Sequence, residues 1–523
     1  MNRLPDILPS YIRGQWRRPS DEGRTLLDAA TAESVARISR LPLDYTAILD
    51  YARSVGGPAV RELTFAQRAA ALKALGKHLT GKIPEFTELS LRTGATRRDS
   101  AVDIDGGIGV LFVYASKGAS ELPDRHALLD GDIELLGKAG TFGLQHVYNP
   151  MLGAFVQINA FNFPVWGMLE KFAPAFLAGV PSVVKPASTT AYLTEMVVRE
   201  IVASGLIPEG ALQLVCARPD GLLDALNGQD MVSVTGSHET ATALRRHPVV
   251  AGNAVRFTAE ADSLNSSLLG PDATPDSPEF TLFVRGLVTE MTQKTGQKCT
   301  AIRRAFVPGS LIDAVEDAVR ERLSAMTVGD PRDPAVRIGP VVEHAQREDV
   351  RHATARLSKA GRIVFGDPYI RPDNFAPSAD FDKGAYLSPI LLRFDDPLVA
   401  EPHSIEAFGP VSSLLPYDDL DVACRLIARG EGSLAASIVT ADEDVARRAV
   451  AAAAPWHGRV LVINADNAGE STGHGAAIPH AVHGGPGRAG GGEELAGLRS
   501  LGHFLQRTAV LGSPEFLASL AHQ

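Results

Sequence analysis

Three cysteines stand in a chain of 523 residues, and their surroundings differ. Cys216 closes an apolar run, and Cys424 shares helical spacing with Val422, Leu426 and Ile427. Both read as small buried hydrophobes. Cys299 lies in QKTGQKCTAIRR, among Lys294, Lys298, Arg303 and Arg304. Cations around a thiol favour the thiolate, the form that attacks a carbonyl carbon. A second kind of chemistry is suggested by SVVKPAS, where Lys185 follows a strand that Pro186 stops, and by VTGSHETATALRRH. There a strand ends at Thr235, Gly236 permits a tight turn, and a helix begins near Ser237. Free N–H groups at a helix start suit a pyrophosphate, and strand ends are where open α/β sheets bind nucleotides. His474, His480 and His483 match no zinc spacing and have no cysteine beside them, so no metal is expected. The literal G-x-G-x-x-G from Gly485 to Gly490 contains Pro486 and shows no strand before it; it reads as a flexible or tightly turning loop.

Positioning these residues requires alternating strands and helices. Phe65, Ala69, Leu72, Leu75 and Leu79 recur at helical spacing within 64–88, interrupted by Gly81 and Pro84. Two strand-like runs flank Asn149-Pro150 within 147–158. Next come helix 172–178, strand 182–184, helix 191–203, strand 211–216, helix 222–226, strand 231–235 and helix 239–246. That alternation implies βαβ units and a parallel sheet. A second α/β stretch spans 280–464, with helices near 311–325, 421–428 and 442–454. The fold class is therefore α/β, with two lobes in series.

Composition narrows the field further. Hydrophobic residues at 45% and charged residues at 21% belong to a globular chain, not a disordered one. Lys and Arg form no run, and the formal charge is −10, so no nucleic-acid partner is expected. Apolar stretches stop well short of a membrane span, the N-terminus lacks a signal-peptide core, and three cysteines cannot build a disulfide framework. A cytoplasmic protein without a membrane partner is the expectation.

Six segments, in chain order, resemble the NAD(P)-dependent aldehyde dehydrogenase superfamily. They are YIRGQW (11–16), FNFP (161–164), VVKPAS (183–188), VTGS (234–237), GQKC (296–299) and EAFGPV (406–411). The resemblance covers about 11–511. It implies a Rossmann-like cofactor domain (1–137 and 158–266), an α/β catalytic domain (267–480) and a small β oligomerisation extension (138–157 and 490–523). It also implies a homo-oligomer, either a dimer or a dimer of dimers.

Carried onto this sequence, the resemblance makes Cys299 the nucleophile, giving a thiohemiacetal and then a thioester. Asn162, with the Cys299 N–H, would hold the oxyanion. Glu260 would be the general base for hydrolysis. Here the sequence departs from the family, reading Glu-Ala-Asp-Ser-Leu for Glu-Leu-Gly-Gly-Lys, and Asp262 is the nearest alternative carboxylate. Lys171 and Glu494 match family positions near a proton path, and with Glu170 they suggest a relay; a structural ion pair is the other reading. Phe163 and Glu170 would line the aldehyde tunnel, Glu170 replacing a bulky aromatic. Lys185 would contact the adenosine ribose, Gly236 and Ser237 the pyrophosphate, Glu406 the nicotinamide ribose, and Phe408 the nicotinamide ring. Ser188 stands where NAD-preferring relatives often carry an acid, which implies NADP, with NAD weaker. A closer resemblance lies in FTAEADSLNSSLLG, NAFNFPVWGMLEKFAPAFLAG and the 478–510 segment. These resemble the aldehyde dehydrogenase part of bacterial ring-cleavage enzymes, implying a small-molecule aldehyde carried on CoA. A CoA-acylating dehydrogenase and a catalytically silent binding relative are the competing readings.

Overall fold

Parallel pairing organises the first part of the molecule in the computed structural model, which describes residues 4–520. Five short strands, Phe155–Ile158, Ser182–Lys185, Leu212–Leu214, Met231–Thr235 and Arg256–Glu260, pair in parallel. Across the sheet they run 256–260, 231–235, 155–158, 182–185, 212–214. The order reverses between 155–158 and 231–235, so a crevice opens beyond the carboxyl ends there. All four residues of Ser182–Lys185 are buried, the mark of a strand covered on both faces. The hairpin Ser10–Ile12 with Gln15–Arg17 extends this sheet antiparallel through Tyr11 and Leu214. Its two-residue turn places Arg13 and Gly14 at φ 53° and 73°, matching the twist of the flanking strands.

Helices cover the sheet where local capping and apolar periodicity agree. Phe65–Thr80 and Arg97–Glu121 each start with a reciprocal capping box, Thr64 with Gln67 and Thr96 with Asp99. The periodic stretch 64–88 divides near Gly81 into Phe65–Thr80 and Ile83–Ser90. The helix expected at 172–178 is longer, Trp166–Ala178, with Pro174 inside it. Every residue from Met168 to Ala178 is buried, so no polar face exists to reveal its period. The helix expected at 222–226 is a single tight turn, Leu223–Ala225, too short to propagate.

A second seven-stranded sheet runs in the order 362–365, 390–393, 411–417, 304–308, 266–269, 433–439, 457–463. It is parallel except for the antiparallel edge strand Arg362–Phe365. A third, antiparallel sheet joins Leu128–Leu135, Gly143–Pro150 and Leu505–Gly512. The pairing divides the chain differently from the expected boundaries. Leu128–Leu135 joins the small sheet, whereas Phe155–Ile158 is a central strand of the first sheet. Backbone pairing decides this, and it is invisible to local pattern. Among the described residues, no helix is long and apolar enough to cross a membrane.

Candidate active site

Cys299 follows the helix Pro278–Thr292 through a kinked turn, Gln293–Gly296. Lys294 and Thr295 take φ values of 53° and 54° there. A Cβ on Gly296, itself at φ +66°, would lie 2.1 Å from the Gly409 carbonyl oxygen, so glycine alone permits this packing. Asn265 Nδ2 donates to the carbonyls of Cys299 and Ala301 at 2.7 and 3.0 Å, pinning the loop.

The cations expected to favour a thiolate are engaged elsewhere. Lys298 Nζ meets Glu290 at 2.9 Å and Gln293 Oε1 at 2.7 Å. Arg303 donates to the carbonyls of Gly296 and Gly409, and Arg304 to those of Leu264, Leu426 and Ile427. Lys294 Nζ lies over the Phe163 ring, 5.4 Å from its centroid. Burial first, then the Glu260 carboxylate, push the Cys299 thiol well above its ordinary range. The sequence expectation is thereby corrected: neighbouring cations do not hold this sulfur as a thiolate.

Glu260 ends its strand, buried, with Oε2 3.1 Å from His483 Nε2. Burial alone would raise its pKa, but His483 and then Lys171 bring it down to about 2. His483 in turn lies 4.0 Å from Cys299 Sγ. Asp262, the alternative carboxylate, instead accepts from His238 N at 2.9 Å and pairs with Arg488 at 3.5 Å. The three histidines considered for a metal diverge. His474 meets the Thr300 carbonyl at 3.0 Å, and His480 is exposed.

His483 is the site residue that spacing did not reveal. It sits on Val482–Gly484, opposite Glu494 on Glu493–Leu495. The following glycine tract brings it there: a Cβ on Gly490 or Gly492 would fall 2.3 or 2.6 Å from the Ala259 carbonyl oxygen. Ala261 N also donates to the Ala489 carbonyl at 2.9 Å. The tract turns tightly, one of the two forms expected, but contrary to expectation it follows a strand, Val482–Gly484; its signal was close backbone approach to the strand bearing Glu260.

Asn162 is buried, one amide hydrogen directed to the Gln297 carbonyl at 3.1 Å. Lys171 Nζ bridges Glu170 at 2.8 Å and Glu494 at 3.0 Å, and Ser233 Oγ donates to Glu494 Oε1 at 2.6 Å. Burial raises the Glu170 pKa; for Lys171 the surrounding carboxylates outweigh burial and raise it.

Two cavities meet at Cys299. One, of about 460 Å³, is lined by Phe163, Trp166, Glu170, Lys171, Glu290 and His483, among others. The other, of about 410 Å³, is lined by Ala187, Gly236, Ser237, Asp262, Glu406 and Phe408, among others. Asn162, Glu260 and Cys299 line both.

The second cavity fits a dinucleotide. Among the described residues, Glu406 Oε1 is buried and accepts no hydrogen bond, leaving an acceptor for a hydroxyl. Burial lifts Glu406 to about 7 despite Arg303. A Cβ at Gly236 would meet nothing within 4 Å, so a phosphate can approach the backbone. Ser237 and Asp262 already accept from the N–H groups of Thr240 and His238, leaving less of that helix start free than expected. Phe161 and Phe408 pack edge to face at 5.9 Å. Lys185 Nζ turns onto the Pro186 carbonyl at 2.6 Å, and Ser188 opens a half-buried turn; Ala187 between them lines the cleft.

A parallel sheet with a cleft at its switch point, meeting a second cavity at the half-buried Cys299, is an architecture suited to a nucleotide-dependent enzyme. The family model described as "Aldehyde dehydrogenase family" matches residues 16–510, and the chain belongs to that family. It is an NAD(P)-dependent oxidoreductase acting on the aldehyde group, forming the acid. It is 43% identical over 482 residues to a 3,4-dehydroadipyl-CoA semialdehyde dehydrogenase of Aromatoleum evansii, covering 92% of this chain and 93% of that one. It is 26% identical to a succinate-semialdehyde dehydrogenase [NADP(+)] 1 of Mycobacterium ulcerans, covering 91% and 94%. The solved structure of a 3,6-anhydro-L-galactose dehydrogenase in complex with NAP shares the fold at TM-score 0.82 and 22% identity, covering 97% and 100%.

Proposed function

We propose that the chain oxidises 3,4-dehydroadipyl-CoA semialdehyde, or a close CoA-linked semialdehyde, to its carboxylic acid with NADP. The observation that carries the reading is the meeting of two cavities at Asn162, Glu260 and Cys299. The aldehyde arrives through the larger one, past Phe163 and Glu170, and Cys299 attacks its carbonyl carbon. The second Asn162 amide hydrogen and the Cys299 N–H stabilise the oxyanion of the thiohemiacetal. When bound, the cofactor supplies a hydride acceptor. Lys185, Ser188, Gly236, Ser237, Glu406 and Phe408 would hold it, Glu406 accepting from ribose hydroxyls and Phe408 confining the ring. Glu260 activates water against the resulting thioester. Lys171, Glu170 and Glu494 connect this base to a third, small pocket that Ser233 and His503 help to line, and carry its proton away.

Identity over nearly the whole length of the Aromatoleum evansii relative supports the substrate. Ser188 supports NADP, since a hydroxyl donates to a 2′-phosphate where a carboxylate would repel it. In this reading the first sheet is the cofactor-binding unit and the second sheet the catalytic unit. The third sheet carries oligomerisation: Leu135, Leu136, Phe142, Leu511 and Phe516 lie exposed in or beside it, an apolar surface suited to a second subunit.

An aldehyde panel including CoA-linked semialdehydes, assayed with NADP and NAD, tests the reading. CoA-linked substrates are expected to give the highest kcat/KM, with acid as product and no requirement for free CoA. Ser188→Glu is expected to shift discrimination toward NAD by about 10–100-fold, or 1.4–2.8 kcal/mol. Unchanged discrimination removes Ser188 as its source.

A further inference from the structure

We propose that His483 is a catalytic residue: its imidazole takes the proton of the Cys299 thiol and, once cationic, is held by Glu260. The proposal rests on Cys299 being the nucleophile.

Its foundation is geometric. His483 Nε2 stands 3.1 Å from Glu260 Oε2 and 4.0 Å from Cys299 Sγ, and all three ligand atoms lie within 4.8 Å of one another. The three residues come from separate segments, and the imidazole is only 4% exposed. Such a position is maintained by the glycine tract packed on Ala259 rather than by a flexible loop.

The charges facing the imidazole make its neutral form a stronger base than a free imidazole. Glu260 approaches from its strand, Glu170 and Lys171 from Trp166–Ala178, Glu494 from the paired strand, and Arg459 from His457–Ile463. Among these, Glu260 and Glu170 raise the imidazole's pKa and Arg459 opposes them. Burial lowers the His483 pKa, but Glu260 and Glu170 outweigh it and raise the value. Around the thiol the balance is opposite, since burial and Glu260 both resist a second negative charge. A thiol in that setting ionises readily only when a positive charge forms beside it. Transfer to His483 forms that charge in contact with the sulfur.

In this step the Cys299 S–H bond breaks and its electron pair stays on sulfur. An N–H bond forms at Nε2 of a neutral imidazole whose other proton is on Nδ1. The new N–H then donates to Glu260 Oε2, and no co-reactant is consumed. A consequence follows for the second half of the reaction. While the imidazolium holds Glu260, that carboxylate is a weak base, so His483 must release its proton before Glu260 can activate water.

The test is the pH dependence of Cys299 alkylation by iodoacetamide in the full-length enzyme, with the adduct located by mass spectrometry. Wild type, His483→Gln, His483→Phe, Glu260→Gln and Cys299→Ala are compared, with thermal unfolding and NADPH binding reporting on the fold. The wild-type profile is expected to inflect at a lower pH than that of either His483 variant. Both His483 variants should inflect at least about one unit higher, alkylating about tenfold more slowly at pH 7. Glu260→Gln, which removes the carboxylate that resists the thiolate, should accumulate thioester during turnover. Coincident profiles for wild type and both folded His483 variants, with Cys299→Ala inactive, overturn the role of His483 alone. Turnover that survives Cys299→Ala overturns the nucleophile reading itself.

Discussion

On the two sides of Cys299 the molecule treats charge in opposite ways. On the tunnel side, Glu260, His483, Glu170, Lys171, Glu494, Glu290 and Lys298 are buried or nearly so, and they satisfy one another in ion pairs. On the cleft side, Gly236 opens to free space, and Glu406 Oε1 faces Arg303 Nε at 3.7 Å without accepting a hydrogen bond. The tunnel side closes its ion pairs at 2.8–3.1 Å, whereas the cleft side leaves its carboxylate in a looser contact and its backbone open. A reaction centre needs its groups oriented before the substrate arrives, whereas a binding cleft keeps its donors and acceptors for the ligand.

The comparison breaks most sharply at the shared residue. Cys299→Ala is expected to lower kcat by at least about 10³-fold, with cofactor affinity within a few-fold of wild type. Steady-state kinetics beside a fluorescence titration of NADPH measure both; equal loss of binding would erase the distinction between the sides.

Next in size is the tunnel-side network. Lys171→Met leaves Glu170 and Glu494 buried without their common partner, a change expected to cost about 3–5 kcal/mol of stability. The sign with pH is set by Glu170, whose folded pKa is raised by burial. Ionised, it destabilises the fold above its unfolded pKa, so the variant should recover stability as pH falls from 8 to 5.5. Denaturant midpoints at both pH values check this, and a pH-independent deficit would contradict it.

The smallest effect lies on the cleft side. Glu406→Gln is expected to weaken cofactor binding about tenfold at pH 8, the size of one charged hydrogen bond. Wild-type affinity should fall as pH drops through about 7, where Glu406 takes up a proton, while the variant stays flat. Isothermal titration from pH 6 to 8.5 distinguishes the two; parallel curves would place the ribose elsewhere.

Legibility differed between fold and site. Alternation of strand and helix named the α/β class because each short run carries its own signal: apolar strands, capping residues, and glycine turns. The Trp166–Ala178 helix was shortened by the same reasoning, since burial of every residue from Met168 onward removes the periodicity that marks a helix end. Motif resemblance brought forward Asn162, Cys299 and Glu406, which line the two cavities. It did not bring forward His483, whose partner Glu260 lies more than two hundred positions away. The cations around Cys299 misled because proximity in sequence says nothing about where a long side chain turns; Lys298 turns to Glu290, and Arg303 to backbone carbonyls.

By itself, then, the sequence determined what is local: which runs form strands and helices, where glycine lets the chain turn, and which short motifs carry an aldehyde dehydrogenase. Only the tertiary structure decided which groups share a buried volume and in what charge state. It joined His483 to Glu260 and Cys299, disengaged Asp262, and left Glu406 with an open acceptor. The physical reason is that pKa values and ion pairs depend on burial and on contacts across long sequence separations. Those arise from packing, which no short stretch of residues contains.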